Sequence, residues 1–124
     1  MNPAEWLIRA ALRSPEAPAL MRGSELVATY AEFAARAAAI GGWLAARGIG
    51  SGDRVAIFMT NRTEYLEAFY GIWFAGAAAV PINGKLHVRE AEWILENSGA
   101  SLAFVSADVA ADLSFEAQIE AGEL

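Results

Sequence analysis

The sequence of 124 residues predicts an α/β fold in which successive strand–helix units build a parallel sheet covered by helices. Continuous apolar segments begin near residues 54, 78 and 101, and a helical pattern lies between each pair. These segments are uniformly apolar rather than alternating, which is typical of strands buried on both faces of a parallel sheet. A hairpin and a capped helix are predicted to precede the first of these units.

The first 50 residues are predicted to form a short helix, a hairpin and a longer helix. Residues 4–13 have helical apolar spacing, and the prolines that follow end this helix. The next segment, ALMRGSELVATY, predicts two strands joined by a turn. Thr29 and Glu32 then have the spacing of a capping box, which predicts a helix running to Arg47.

The helix that follows Thr29 is predicted to bury one face and to expose the other. Its apolar stripe consists of Phe33, Ala37, Ile40 and Leu44. Arg36 falls on the solvent side, and Gly48 is expected to end the helix.

Glycines at 48, 50 and 52 have a spacing that suggests a phosphate-binding loop. A dinucleotide loop needs a strand before it, a helix after it and a third glycine in the position that Asp53 occupies. Here a helix precedes and the strand RVAIFM follows. We therefore predict a helix-to-strand turn that Asp53 stabilises.

Residues 51–106 are predicted to form a βαβαβ unit. Its elements are a strand at 54–59, a helix at 62–75 capped by Asn61, a strand ending at Pro81, a helix at 88–98 and a strand at 101–105. Residues 107–124 are predicted to form a trailing helix or a disordered end, with no further strand.

Composition excludes several classes of function. A net charge of −6 and a pI of about 4.7 disfavour nucleic acid as a partner. The sequence has no cysteine and a single histidine, which excludes disulfides, thiolate catalysis and multi-histidine zinc sites. Its longest apolar run is too short to span a bilayer and the N-terminus carries charges, so we expect a cytoplasmic protein without a transmembrane segment.

Several sequence blocks occur in a fixed order. They are TY-EF from Thr29, GIGSGDRVAIFMTNRTEY from Gly48, FAGAAAVPINGKL from Phe74, and REAEWILENSGASLAFV from Arg89. Together they resemble the N-terminal part of the AMP-forming acyl-CoA synthetases, which are adenylate-forming enzymes. The resemblance extends from about residue 4 to residue 105.

The resemblance implies an incomplete portion of the large N-terminal domain of these enzymes. Family members use ATP, Mg²⁺ and CoA to convert a carboxylic acid, here expected to be of fatty-acid type, to its acyl-CoA. The family's phosphate loop ending in Pro-Lys-Gly, its aromatic-Thr-Glu segment, its ribose-binding aspartate and its C-terminal lysine have no counterpart in the sequence. The chain is therefore expected to contain no catalytic residue, to bind none of these ligands tightly and to be inactive without the remaining C-terminal part of the enzyme.

Two neighbouring features are candidate binding or acid–base groups. By the resemblance, Asn83, Gly84 and Lys85 could line the side from which CoA approaches. The residues themselves favour a simpler structure, in which Pro81 ends a strand and Asn83–Gly84 forms a turn. His87 has no carboxylate or serine beside it that would build a relay, so a capping or exposed role is expected.

Two alternatives remain open. The first is a stand-alone, non-catalytic adapter or dimerisation module with the same partial fold, because 56% hydrophobic residues suit a surface that more protein covers. Such a module, or a fragment without its partner, could associate with itself through an exposed sheet edge or apolar patch. The second alternative is the start of a peptide-synthetase adenylation domain or of a luciferase-like enzyme.

Overall fold

The computed structural model describes residues 2–115 and 117–124. The elements are α1 (Ala4–Arg13), β1 (Pro18–Arg22), β2 (Glu25–Thr29), α2 (Tyr30–Ala46), β3 (Arg54–Met59), α3 (Thr63–Phe74), β4 (Ala78–Asn83), α4 (Val88–Ser98), β5 (Leu102–Val105), α5 (Ala107–Ala110) and β6 (Gln118–Glu120), followed by a 3₁₀ turn at Ala121–Glu123. The predicted α/β class and the order of elements through β5 are confirmed. In the described part of the chain, every helix is too short or too polar to cross a membrane.

The sheet consists of four parallel strands in the order β4-β3-β5-β6. Its two faces are covered by different helices. On one face α2 and α3 pack over β3 and β5, with Phe104 fully buried beneath them. On the other face α4 and the segment that contains α5 pack over the same two strands, with Phe58 fully buried. Burial on both faces explains why β5, and β3 from Val55 onward, are apolar.

The N-terminal layer is a two-stranded antiparallel sheet, β1–β2, that packs with α1 against α2. The predicted capping box joins this sheet to α2: the Glu32 N–H donates to Thr29 Oγ1 at 3.2 Å, and the Thr29 N–H donates to Glu32 Oε1 at 2.9 Å. The predicted stripe on α2, from Phe33 to Leu44, is buried. The capping box therefore sets where the first long helix begins.

Replacing Thr29 with alanine is expected to lower the free energy of unfolding by about 1 kcal/mol, because the Glu32 N–H loses its acceptor at the helix start. Urea unfolding followed by circular dichroism measures this change. Thr29→Ser keeps the hydroxyl and should unfold within about 0.5 kcal/mol of the wild type. Equal losses in the two variants would show that the hydroxyl does not stabilise the helix.

The turn between α2 and β3 is confirmed as a structural turn. Gly48 and Gly52 have φ angles of 79° and 88°, a left-handed conformation that suits glycine. The Gly50 N–H donates to Asp53 Oδ2 at 2.8 Å, so the aspartate closes the turn as predicted.

Three details differ from the sequence prediction. Helix α3 begins at Thr63, and its N-cap is Arg62, which makes no side-chain capping bond, so Asn61 is not the cap. Strand β4 continues through Pro81 to Asn83, since a proline is tolerated where its missing N–H would face away from the sheet. The tail is not one helix: α5 is short, and β6 adds a fourth parallel strand.

Candidate functional site

The carboxyl ends of the parallel strands meet at one edge of the sheet. Thr60 follows β3, Asn83 ends β4, and Ser106 follows β5. The chain leaves β3 toward β4 on one side and returns to β5 on the other, so the topology switches direction between β3 and β5. In open parallel sheets, ligands bind in the crevice outside the carboxyl ends at such a switch point. This carboxyl edge is therefore a candidate ligand-binding region.

A hydrogen-bonded cluster spans the switch point. Ser106 is fully buried, and its Oγ accepts a hydrogen bond from the Thr60 N–H at 3.1 Å. The Thr60 hydroxyl donates to Asp108 Oδ2 at 3.0 Å. Hydrogen bonding from Ser106, followed by that from Thr60, lowers the pKa of Asp108. These contacts fasten the ends of β3 and β5 together and leave the exposed carboxylate ionised.

The predicted residues Asn83, Gly84 and Lys85 form an ordered turn at the same edge. Asn83 Oδ1 accepts from the Lys85 N–H at 2.9 Å, and the Asn83 carbonyl accepts from the Leu86 N–H at 3.0 Å. A Cβ added at Gly84 would collide with the carbonyl oxygen of Met59, so a glycine lets the turn pack on the end of β3. The turn leaves Lys85 exposed to solvent.

His87 lies just beyond this turn and caps α4. Its Nδ1 accepts a hydrogen bond from the Arg89 N–H at 3.1 Å, and its side chain is exposed. The capping role expected from the sequence is thus observed.

A groove of about 810 Å³ lies between α2, the start of α3 and the end of the sheet at β5–β6. Its wall combines apolar side chains with charges of both signs. The charged lining residues are Arg22, Arg36, Arg47, Glu64, Glu67 and Glu123, and the larger apolar ones are Val27, Ile40, Trp43, Phe104, Ile119 and Leu124. The Arg47 guanidinium lies 3.9 Å from the centroid of the Trp43 ring, a cation–π contact.

A buried carboxylate lies in the wall of this groove. Glu67 is 6% exposed on α3, and its Oε2 accepts from Arg36 Nη1 at 3.3 Å. Burial raises the pKa of Glu67, and the hydrogen bond and charge of Arg36 offset only part of that effect. Arg36 lies on the exposed side of α2, as predicted, yet its head group reaches across to α3.

Replacing Glu67 with glutamine is expected to change how stability depends on pH. Because the folded-state pKa of Glu67 is raised, its protonated form stabilises the folded protein, and this stabilisation is fully present below the ordinary pKa of 4.5. The stabilisation is lost as pH rises through the folded-state pKa. The wild type should therefore lose stability relative to Glu67→Gln as pH rises above 4.5, measured by urea unfolding.

Glu64 provides the matched control for this experiment. Burial acts to raise its pKa, but hydrogen bonds from Thr63 and Arg62 and the charge of Arg62 outweigh burial and lower it. Its ionised form thus stabilises the fold, and that contribution is lost as pH falls through the lowered pKa. Glu64→Gln should give the opposite trend, and parallel trends in both variants would contradict the assignment.

The carboxyl edge and the groove do not fit Mg²⁺ and ATP. A polyphosphate needs several converging cations and backbone amides, whereas at the edge Lys85 is exposed and Arg62 is paired with Glu64 at 3.1 Å. In the groove Arg36 is bound to Glu67 and Arg47 lies on Trp43, which leaves Arg22 as the one further arginine of the described wall. Among residues 2–115 and 117–124, no three His, Cys, Asp or Glu side chains are grouped so that they could hold a metal ion.

Sequence reasoning missed two parts of this region. Thr60 and Ser106 follow directly after uniformly apolar strands, and that position was a usable signal because such strands end at a common edge. Glu67 shares the buried face of α3 with Ala68 and Gly71, and this run of small neighbours was a weaker signal of close helix packing.

The chain has clear relatives among known proteins. The family model of the AMP-binding enzyme matches residues 7–123. Feruloyl-CoA synthase of an Amycolatopsis species is 41% identical over 97 residues, which make up 78% of this chain and 20% of that protein. The long-chain-fatty-acid–CoA ligase FadD13 of Mycobacterium tuberculosis is 39% identical over 104 residues, or 82% of this chain and 21% of that protein. The chain thus spans about a fifth of the length of these curated relatives.

The fold is shared with solved structures as well. The N-terminal domain of FACL13 from Mycobacterium tuberculosis superimposes with a TM-score of 0.84 at 34% identity. That match covers 98% of this chain and 34% of that domain's chain. The family match over nearly the full chain and the shared fold confirm the resemblance seen in the sequence. The chain belongs to the AMP-binding, adenylate-forming enzyme family.

Proposed function

We propose that this chain is the N-terminal structural part of an ATP-dependent acyl-CoA synthetase. The complete enzyme would convert a carboxylic acid, ATP and CoA to acyl-CoA, AMP and pyrophosphate, and the acid we assign is of fatty-acid type. The observation that carries the proposal is the family match over residues 7–123 in a chain that spans about a fifth of its curated relatives. The chain itself would support the fold of the domain and supply no catalytic group.

The charges of the described residues support this division of roles. At the carboxyl edge and in the groove, Arg62 is paired with Glu64, Arg36 is paired with Glu67, and Arg47 lies on Trp43. A cation already held by a carboxylate or a ring is a poor clamp for a polyphosphate, because a new ligand must first displace that contact. We therefore infer that the polypeptide which completes the domain binds the nucleotide.

The turn at Asn83, Gly84 and Lys85 is our proposed contact on the CoA side. Asn83 orders the turn by accepting a hydrogen bond from the backbone N–H of Lys85. Lys85 is the only lysine in the sequence, and it is exposed to solvent. In an enzyme completed with a relative's remaining polypeptide, Lys85→Ala should raise the KM for CoA about two- to fivefold, the scale of one exposed ion pair, and leave kcat unchanged. Lys85→Arg should keep the wild-type KM, and an unchanged KM in Lys85→Ala would remove Lys85 from the site.

Isotope exchange between ATP and pyrophosphate tests the proposed function. The chain alone should give no exchange above the blank with a panel of fatty acids and ferulate. Co-expression with the part of feruloyl-CoA synthase that lies outside the matched 97 residues should give exchange that depends on the acid. ATP–pyrophosphate exchange by the chain alone would overturn the proposal. A stable, purified complex that shows no exchange would also overturn it. A monodisperse chain that forms no such complex would instead support the adapter alternative.

A further inference from the structure

The two outer strands of the sheet differ in what they offer to a further strand. In β4, the Ala78 N–H donates to the Asp53 carbonyl at 2.9 Å, which points the backbone groups of Ala78 and of alternate residues after it toward β3. Pro81 belongs to the other, outward set, so the open side of β4 lacks a donor at its middle. Strand addition at β4 is thereby disfavoured.

The open side of β6 has no such block. The Ala103 N–H donates to the Ala117 carbonyl at 2.8 Å, so the backbone groups of Gln118 and Glu120 point away from β5. The strand is held in place, because the Gln118 side-chain amide donates to the carbonyls of Leu113 and Phe115 at 3.0 and 2.6 Å. Among the described residues, β6 pairs with β5 alone.

One outward donor of β6 is occupied by a group that a partner could displace. The Glu120 N–H donates to Glu123 Oε1 at 3.3 Å, a long bond made by an exposed carboxylate. Glu120 and Glu123 also place two negative charges at this edge. The 810 Å³ groove continues from it, with Ile119 and Leu124 in its wall.

We propose that β6 is the docking edge for a parallel strand supplied by the rest of the adenylate-forming domain, with a Lys or Arg beside Glu120 and Glu123. This inference rests on the proposed function. Parallel addition continues the direction of all existing pairs in this sheet. The supply of such a strand is supported by the FACL13 domain, of which the matched region is 34%.

A second copy of this chain suits the edge poorly. A two-fold pairing of two β6 strands would bring Glu120 and Glu123 of both copies together, and like charges at a strand pair are destabilising. Each chain also carries a net charge of −6. A strand with a basic residue has neither cost, so we assign the edge to the rest of the domain.

The variant Glu120→Pro tests this edge with little disturbance to the fold. Glu120 has a φ of −73°, which proline adopts, and the preceding residue is extended, which proline permits. Proline removes the outward N–H and leaves the bonds between β5 and β6 in place. Glu120→Ala keeps that N–H and is the matched control for loss of the side chain.

The measurement is the Kd between the purified chain and the part of feruloyl-CoA synthase outside the matched region, by interferometry on the tagged chain, with co-purification yield as a second readout. The wild type should bind, Glu120→Pro should bind about tenfold more weakly or not at all, and Glu120→Ala should stay within about threefold of the wild type. Amide hydrogen exchange should show protection of Gln118 in the complex only. Unchanged exchange at Ile119 in free Glu120→Pro verifies that β6 is intact.

Three results would overturn the inference. They are wild-type affinity in Glu120→Pro, the absence of any complex with the wild type, and protection of Gln118 in the free chain that rises with its concentration, which would assign the edge to a second copy. A complex that forms through this edge without ATP–pyrophosphate exchange would instead refute the proposed function and leave the docking edge supported.

Discussion

Replacing Phe104 with alanine is expected to lower the free energy of unfolding by about 3 to 5 kcal/mol, the range for emptying a buried aromatic site. Phe104 is fully buried in the central part of the sheet, opposite Ile57 of β3. Its ring lies 6.3 Å from that of Trp43, centroid to centroid, so it also supports α2 on the sheet. Parallel strands and two helices surround the position, and such surroundings collapse little around a void.

Urea unfolding monitored by circular dichroism measures the effect of Phe104→Ala. Trp93→Ala is the control, because Trp93 is 64% exposed on α4 and its removal should change the free energy of unfolding by no more than about 0.5 kcal/mol. A loss below about 1 kcal/mol for Phe104→Ala would mean that α2 does not pack on β5 in solution.

Replacing Gly41 with alanine is expected to lower the free energy of unfolding by about 2 kcal/mol. The loss is expected even though alanine has a higher helix propensity than glycine. Gly41 lies where α2 crosses α3, and an added Cβ would lie 2.6 Å from Phe74 Cβ and 3.1 Å from the Gly71 carbonyl oxygen. Neither neighbour is the flexible end of a side chain, so the helices would have to separate. Gly71 faces the same crossing from the other helix.

Gly42 gives a matched control one residue away. An added Cβ there meets nothing within 4 Å, so Gly42→Ala should stabilise α2 by about 0.5 to 1 kcal/mol. Thermal and urea unfolding of the two variants should therefore shift in opposite directions. Shifts of the same sign would show that the α2–α3 crossing is looser than the structure describes.

The parts of the fold that were predicted correctly are those that depend on residues near in sequence. The Thr29–Glu32 capping box lies within a single helical turn, and β3 is an apolar run that ends at Met59. The Arg36–Glu67 pair was not predicted, since it joins residues 31 positions apart on two helices. Strand β6 was missed because its three residues, Gln-Ile-Glu, have weak strand character and pair only because β5 offers an edge.

The candidate site was predicted to a similar extent. A turn was predicted at Asn83–Gly84, because asparagine and glycine after an apolar strand signal a turn, and one follows directly after Asn83, where β4 ends two residues later than predicted. A role for that turn toward CoA is still a prediction. The Thr60–Ser106–Asp108 cluster needed the order of the strands, which places the ends of β3 and β5 side by side and which local patterns do not provide.

The proline within β4 has a consequence for how a nascent chain acquires this sheet. Unpaired strand edges on a partly made protein are sites of aggregation. Because Pro81 leaves the outer side of β4 without a central donor, that side is a poor template for misassembly while synthesis continues. A β3–β4 pair that forms during synthesis therefore exposes only one strand edge that readily accepts a further strand, namely the free edge of β3. Strand β5 pairs with that edge once it has been made. The imino acid Pro81 thus favours extension of the sheet on the β3 side over extension at β4.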